Sequence, residues 1–353
     1  MNLMIKDKNF YKSFFVIALP VVLQSCITIG VNMLDTIMLG SFGEGYLSAT
    51  SLSNQFFNLY QIICMGLGGG AAVLTAQAWG RKDNEAIKKT ITIMLRLSIG
   101  VALFFTLISY FFPRQIMMIY TNEALVLDDC ERYFKYLCFA FFFQGIALTL
   151  TQVLRSIKEA KIALYSAIMA FFMNIFFNYS LIFGKFGMPR MEIEGAALAT
   201  LIARIGECVF ICVYVFKLDK KVNYQLRDIA MKCQDYLKPY FRYGLPVLCS
   251  DFLLGLGNNA VAVIMGHISK AFVAAYSISS ITQQMCNIFT TGVTNASGVI
   301  IGNTLGEGKT EEVYEQGKTF ISMSVILGLV AALVVYLIKT PVIGMYNIAE
   351  ETR

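Results

Sequence analysis

Residues 14–39 read FFVIALPVVLQSCITIGVNMLDTIML, a continuous apolar run in which Asp35 is the only charged side chain. About 20 mostly apolar residues are enough for a helix to cross the hydrocarbon core of a bilayer. The apolar residues follow one another without alternating with polar ones, which excludes a strand of a membrane β-barrel. This stretch therefore predicts a transmembrane helix.

Eight further runs of the same kind follow, so we predict an all-α polytopic membrane protein. Of the 353 residues, 57% are hydrophobic and only 15% are charged, with a mean hydropathy of +0.62. Soluble proteins average about 25% charged residues, and this chain has too few polar residues to cover soluble domains. That excludes a soluble enzyme, a nucleic-acid binder and a disordered scaffold. The nine predicted spans are 14–39, 46–78, 91–112, 133–154, 162–183, 195–216, 240–266, 272–302 and 319–338.

Basic residues are concentrated on one side of these spans, which predicts the orientation of the chain. The N-terminal arm with Lys6, Lys8 and Lys12 lies on that side, together with the segment 217–242 and the loop that we expect to hold Arg155. We therefore predict a cytoplasmic N-terminus in a multi-pass protein of the bacterial inner membrane.

An internal repeat indicates two similar halves. One constant offset along the chain relates Pro20 to Pro246, Asn32 to Asn258 and Gly66 to Gly292. We predict a six-helix N-lobe over residues 1–217, a cytoplasmic connector over 218–239 and a partial C-lobe of three helices over 240–353. The lobes should be related by a pseudo-twofold axis along the membrane normal, with a cleft between them. We expect about three further helices to be missing from the second half.

Polar groups inside the spans are the candidate site residues, because a charge there costs about 2.5–3.5 kcal/mol on insertion scales. Asp35 lies far along the first span and can take up a proton or Na⁺. Asn174 and Asn178 share one helix face, either as a clamp between helices or as cation ligands. Thr200 is a weaker candidate. Asp251 is a second intramembrane acid, whose alternative interpretation is pairing with a missing helix.

Other polar and small residues have structural interpretations. We expect Arg204 and Glu207 to form an ion pair, and Arg96 to extend toward the membrane surface. His267 falls in a predicted loop without partners for catalysis or metal binding. The glycines at 66 and 68–70 favour close helix packing over phosphate binding. The nine cysteines show no metal-ligand spacing, so no metal, organic cofactor or disulfide framework is predicted.

Several motifs in order resemble those of the multidrug and toxic compound extrusion (MATE) family. The segments that carry the resemblance are NMLDTIMLG at 32–40, GRKD at 80–83, NIFFNYSLIFG at 174–184, GAALAT at 195–200 and GLP at 244–246. The family implies two six-helix lobes. By resemblance, Asp35 takes the place of the carboxylate that binds the coupling cation, with Asn174 and Thr200 beside it. Asn178 stands where many members have an aspartate, and Asp251 is near a coupling acid of some members.

The resemblance implies a secondary active antiporter that exports organic cations or drugs in exchange for H⁺ or Na⁺ by alternating access. Its partners would be a small amphiphilic or cationic substrate and membrane lipid, with no nucleic acid, and we expect a monomer. No catalytic residue and no cofactor other than the coupling ion are expected. The candidate substrate-cleft residues are Gln24, Asn32, Gln55, Asn258 and Gln284.

Three alternatives stay open at this point. A lipid-linked oligosaccharide flippase of the same superfamily would need a cavity rich in Arg and Lys, whereas only Arg204 is expected to lie deep, next to Glu207. An intramembrane enzyme would need a nucleophile and base, or a metal set, that these residues do not supply. A truncated, non-transporting remnant is the third.

Overall fold

The computed structural model describes residues 4–40, 42, 44–121, 123–268 and 270–345, and it is built from α-helices joined by short turns in this part of the chain. The description covers the backbone but not the side chains of some helical residues, chiefly 262–282 and 337–345. The helices are α1 (Lys8–Gly40), α2 (Glu44–Gly80), α3 (Asn84–Phe111), α4 (Pro113–Met117), α5 (Ala124–Ser156), α6 (Ala160–Phe183), α7 (Glu192–Val213), α8 (Gln234–Ile268), α9 (Lys270–Gly306) and α10 (Thr310–Met345).

Each of the nine predicted spans overlaps one long helix almost completely, so the all-α membrane fold is confirmed. Seven of these helices are long and apolar enough to cross a membrane, judged on the described residues alone. Several helices extend beyond the predicted spans: α5 begins at Ala124 and α8 at Gln234. His267 is correspondingly placed in helical backbone of α8 and not in a loop, and its side chain lies outside the described set. The predicted domain limits stay a prediction.

Helices α1–α7 form the N-lobe, in which α2 and α5 pack through an aromatic core. Tyr60 of α2 is fully buried and donates its hydroxyl hydrogen to the backbone carbonyl of Phe141 at 2.6 Å. Gly145 provides the space for this ring, because a Cβ there would lie 2.2 Å from the Tyr60 hydroxyl oxygen. α6 and α7 pack on each other, and α7 also packs on α5, so that polar residues of α5, α6 and α7 meet inside the lobe.

Helices α8–α10, the described part of the C-lobe, contact the N-lobe where α1 begins and α2 ends, which we call the near end. The mid-helix glycines allow this close approach. A Cβ on Gly70 would lie 2.1 Å from the Gly244 Cα, and one on Gly80 would lie 2.0 Å from the Asn303 carbonyl oxygen. The predicted role of the residue 66–70 glycines in close packing is confirmed for Gly70.

A cleft opens between the lobes toward the opposite, far end, where α1 ends and α2 begins. On α2, Gln55 lies on the same helix face as Ile62 and Gly66, which meet α8. Gln55 itself is solvent-exposed, as is Asn258 on α8. The faces of α2 and α8 that touch each other at the near end are therefore separated toward the far end.

The segment between the lobes is docked on α3, which adds to the interpretation of Arg96. Its guanidinium donates hydrogen bonds to the backbone carbonyls of Ile229 and Met231. Thr92 donates its hydroxyl hydrogen to the carbonyl of Asp228, and the Lys88 ammonium lies 2.9 Å from the Asp228 carboxylate. Arg96 is exposed and extends out of its span to the connector, and the structure adds these backbone carbonyls as partners that the sequence did not predict.

Candidate functional site

Asp35, Asn174 and Asn178 form one hydrogen-bonded group inside the N-lobe. α1 packs along α6, which brings the last turns of α1 beside the two asparagines. The Asn178 side-chain amide donates to Asp35 Oδ1 at 2.5 Å and to Asn174 Oδ1 at 3.0 Å. Two distant parts of the chain thus share one amide donor.

The position of the two asparagines follows from the pattern of α6. They are four residues apart and therefore lie on the same helix face, and they are only 3% and 1% exposed. The opposite face is formed by large apolar side chains such as Phe172, Phe176 and Tyr179, which are exposed on the outside of the bundle. A helix with its amides inside and its aromatic rings outside is the arrangement expected in lipid.

One oxygen of this group has no partner. Asn178 Oδ1 is buried and makes no hydrogen bond, although it lies next to the Asp35 carboxylate. Buried polar atoms are almost always hydrogen-bonded, so an orphaned acceptor calls for an explanation. A carboxylate and two amide oxygens are suitable ligands for a hard cation such as Na⁺, and the orphaned oxygen can also accept a hydrogen bond from a protonated Asp35.

Tyr133 joins this site and was missed by the sequence interpretation. It lies on α5 and is 2% exposed. Its side chain lies near Thr200 of α7 and within Coulombic range of the Asp35 carboxylate. Thr200 is thus brought toward the group around Asp35 through Tyr133. A tyrosine inside the apolar run 133–154 was the only available signal, and many buried tyrosines have purely structural partners.

The predicted ion pair between Arg204 and Glu207 is present. Arg204 Nη1 lies 2.8 Å from Glu207 Oε2, and Glu207 is 6% exposed. Arg204 is also near enough to Asp35 to exert a Coulombic effect on it. Burial of a single charge is costly, so each member of the pair compensates for the other.

Asp251 is not part of the group around Asp35. It lies on α8, which packs against α2 and α9, whereas α1 packs on α6 and α9. Within the described part of the chain it makes no hydrogen bond or ion pair. It is one turn from both Val247 and Gly255, which contact α2, so Asp251 lies at the level where α2 and α8 still meet.

The candidate cleft residues divide into two sets. Asn32, Gln55, Asn258 and Gln284 are exposed in the cleft half of their helices. Gln24 lies at the base of the cleft, where its side-chain oxygen accepts a hydrogen bond from Arg155 Nη2 at 2.5 Å.

The position of Arg155 corrects the sequence interpretation. It lies in the last turn of α5 and not in a loop, and its guanidinium also donates to Asn295 Oδ1 of α9 at 3.4 Å. The expectation that Arg204 is the only deep basic residue is therefore wrong, because α5 continues past the predicted end of its span. The two guanidinium groups are on different helices and have separate partners.

Other donor sets on described residues do not suggest a metal site. These residues contain no group of three or more His, Cys, Asp or Glu side chains that could hold a metal ion. The nearest approach between described thiols is 3.9 Å, between the Sγ atoms of Cys208 and Cys212 on α7. The interpretation of the cysteines as core residues holds for the buried ones, Cys64, Cys130, Cys138, Cys208 and Cys233, but is wrong for Cys26 and Cys249, which are exposed.

Comparison with known proteins places these features in a family context. The MatE family model matches residues 20–180 and 246–352. Two curated relatives carry the name "Probable multidrug resistance protein NorM". The one from Thermotoga maritima is 23% identical over 337 residues, which cover 95% of this chain and 72% of the relative. The one from Halalkalibacterium halodurans is 24% identical over 340 residues, which cover 95% of this chain and 74% of the relative.

Solved structures share the fold. A MOP superfamily transporter from Pyrococcus furiosus superposes with a TM-score of 0.86 at 20% identity, over 97% of this chain and 75% of that chain. A multidrug resistance MATE family transporter in an outward-facing conformation superposes with a TM-score of 0.85 at 20% identity, over 95% of this chain and 74% of that chain. The two-lobe helical architecture is thus common to these proteins.

Proposed function

The chain belongs to the MatE family, and from this membership we propose that it exports small amphiphilic or cationic compounds in exchange for H⁺ or Na⁺. The proposal concerns transport across the membrane and assigns no enzymatic reaction to the chain. The names of the NorM relatives support multidrug compounds as the substrate class.

The observation that carries the proposal is the orphaned Asn178 oxygen beside Asp35. A buried carboxylate with a neighbouring unsatisfied acceptor is suited to bind a cation, because the cation removes both the buried charge and the missing contact. Asn174 supplies a further amide oxygen, and Tyr133 with Thr200 completes the polar surroundings. The exchanged ion, H⁺ or Na⁺, would bind at Asp35.

Helix α1 connects this site to the lobe interface. Asp35 lies near its far end, whereas Phe14 and Ala18 near its beginning pack in one cluster with residues of α9 and α10. A cation bound at Asp35 changes the contacts of α1 with α6, and the same helix forms part of the closed contact. An ion can drive the transition between two states only if it binds one of them more tightly, and the change of partners around Asp35 provides such a difference.

The direction of transport depends on the orientation in the membrane. With a cytoplasmic N-terminus, the near end faces the cytoplasm and the cleft opens to the outside, so the described arrangement would be the one that releases substrate. We place the protein in the inner membrane of a bacterial cell as a monomer surrounded by lipid. The coupling role of Asp251 stays a separate prediction, since it lies on α8 where that helix meets α2 and not beside Asp35.

The test is ethidium efflux from proteoliposomes with an imposed H⁺ or Na⁺ gradient. We expect wild-type efflux under one of the two gradients and a loss of at least about tenfold in Asp35→Asn, because the amide carries no negative charge to balance Na⁺ and cannot take up a proton. Asp128→Asn is the matched control, since this acid is exposed at the far end and paired with Arg114. Wild-type rates in Asp35→Asn would contradict the proposed site, and Asp251→Asn shows which acid couples.

A further inference from the structure

Among the exposed amide side chains of the four helices that line the cleft, one on each helix is related to another by the internal repeat. These four are solvent-exposed, and we call them the amide ring: Asn32 of α1, Asn58 of α2, Asn258 of α8 and Gln284 of α9. The internal repeat relates them in two pairs. The offset that relates Asn32 to Asn258 also relates Asn58 to Gln284. A pseudo-twofold axis through the cleft therefore relates one half of the ring to the other.

Helices α2 and α8 place their two amides opposite each other. Asn58 comes one turn before Ile62 on α2, and Asn258 comes nearly one turn after Gly255 on α8, which runs the other way. A Cβ on Gly255 would lie 2.8 Å from the Ile62 side chain, so these two positions are at one level. At about 1.5 Å per residue, both amides lie about 5–6 Å farther along the cleft from that contact. Asn58 is also about three full turns from Gly69, which places it on the face toward α8.

The amide on α9 lies at the same level as the one on α2. These helices run parallel, and Gly302 packs on Ala76 at the near end. Gln284 precedes Gly302 by the same number of positions as Asn58 precedes Ala76. That separation is five helical turns, so each amide lies on the contact face of its helix, about 27 Å from that contact.

The amide on α1 completes the ring. Asn32 also lies five turns beyond Phe14, whose ring packs on Phe320 of α10 in the cluster that α1 forms with α9 and α10. Between them on α1 is Val22, which contacts Gly292 of α9. From the rise per residue, Asn32 is about 15 Å and Gln284 about 12 Å from this shared contact, on the same side of it.

The chemistry of the cleft walls is polar and nearly uncharged at this level. The segments 21–40, 48–80, 243–266 and 271–306 contain no Lys or Arg, and their only acids are Asp35 and Asp251. Asp35 points into the N-lobe, and Asp251 is two turns below Asn258. Each amide offers both hydrogen-bond donors and an acceptor, which is the combination that a hydroxyl group also presents.

We propose that the amide ring is a binding site for an uncharged, hydroxylated head group of an amphiphilic substrate, such as a sugar-like ring. The inference rests on the proposed export function and specifies part of its substrate class. Asn58 and Asn258 lie within about one turn of the contact between α2 and α8 and can hydrogen-bond hydroxyl groups of one ring, while Asn32 and Gln284 lie at a similar level on the neighbouring helices. A site built to hydrogen-bond hydroxyl groups discriminates strongly against an analogue that lacks them.

The experiment compares two uncharged fluorescent probes, one with a polyhydroxylated six-membered ring and one with a six-membered ring that has no hydroxyl group. One is the glucosamine conjugate of nitrobenzoxadiazole, and the other is the cyclohexylamine conjugate of the same dye. Binding to the full chain is measured by fluorescence anisotropy in nanodiscs of phosphatidylethanolamine and phosphatidylglycerol, because a glycoside detergent would compete for the site. We expect the dissociation constant of the hydroxylated probe to be at least about threefold lower.

Single substitutions then locate the discrimination. Asn58→Leu and Gln284→Leu should each weaken binding of the hydroxylated probe about threefold to tenfold, which corresponds to the loss of one or two hydrogen bonds. Binding of the cyclohexylamine probe should stay within about twofold, which also reports that the variant is folded. Gln115→Leu, at an exposed position of α4 outside the cleft, is the matched control.

The outcomes separate the ring from the transport function. Equal affinity of the wild type for both probes, or equal losses for both probes in the variants, would overturn the amide ring as a hydroxyl-binding site. Ethidium efflux that depends on Asp35, with no selective effect at the ring, would refute this inference alone. If neither probe binds and no ethidium efflux is observed, both the amide ring and the proposed function are refuted.

Discussion

Gly70→Ala tests whether the near end holds the two lobes together. The added Cβ would lie 2.1 Å from the Gly244 Cα and 2.6 Å from its backbone nitrogen. Both atoms belong to backbone, so neither can move aside as a flexible side chain would. The helices must separate by about 1.3–1.9 Å at this point to restore an ordinary van der Waals contact of 3.4–4 Å. Overpacking of this kind costs about 1–3 kcal/mol.

That cost applies only to the arrangement with the near end closed. If a second arrangement separates α2 from α8 there, the substitution shifts the equilibrium toward it by about 5- to 150-fold. We expect this shift to be visible by double electron–electron resonance between spin labels at positions 81 and 309, which follow α2 and α9 at the near end. In Gly70→Ala, the distribution of distances between the two labels should gain a population at longer distance. The labels are carried on unnatural amino acids, because the nine cysteines of the chain preclude thiol labelling.

Two alanine substitutions serve as controls. Gly244→Ala introduces a methyl group at the same contact from the other side, but its Cβ lies 3.7 Å from the Gly70 Cα, an ordinary distance. Gly100→Ala adds a Cβ with nothing within 4 Å. Both should leave the distance distribution unchanged. An unchanged distribution in Gly70→Ala as well would refute the argument that this backbone contact limits the opening of the near end.

Three further predictions follow from other contacts. Asn178→Leu removes the amide shared at the cation site, and the thermal stabilisation that the coupling ion gives to wild type in a melting assay should disappear. Glu207→Gln leaves the Arg204 guanidinium largely buried without its counter-charge. We therefore expect the free energy of unfolding, measured by denaturant titration, to fall by about 3–5 kcal/mol. The double variant with Arg204→Met should recover most of this loss. Burial on its own raises the pKa of Asp228, but the Gln225 backbone N–H and the Lys88 ammonium outweigh it and hold the pKa below its ordinary value. This contribution to stability is present above about pH 4 and is lost as the pH falls further, so the melting temperatures of wild type and Asp228→Asn should converge at lower pH.

The sequence interpretation succeeded where a local pattern has a single physical outcome. Apolar runs of bilayer length predicted the nine long helices of the described chain, and the constant offset between repeated residues predicted two similar lobes. The spacing of Asn174 and Asn178 placed them on one face, and the structure adds that this face meets Asp35. In each case the helical period or the thickness of the bilayer relates positions in the chain to positions in space.

It failed where the environment of a residue depends on a distant segment. Arg155 is followed by charged residues and was expected in a loop, yet the structure places it against Gln24 and Asn295. For Arg96, which was expected to extend toward the membrane surface, the partners there are carbonyl groups of the distant connector, and the sequence could not identify them. A basic side chain reaches several ångströms from its helix, so its partner is determined by helix packing and not by its neighbours in the chain.

The sequence by itself determined that this chain is a helical membrane protein with two repeated halves, because hydrophobic length and periodicity act locally on each segment. Only the tertiary structure decided which polar groups share a site. Tyr133 joins Thr200 near Asp35, Asp251 is kept apart from them, and Asn58 becomes a member of the amide ring. These relations depend on which helix faces meet and at what level, and that is decided by the close packing of small residues such as Gly70 and Gly244.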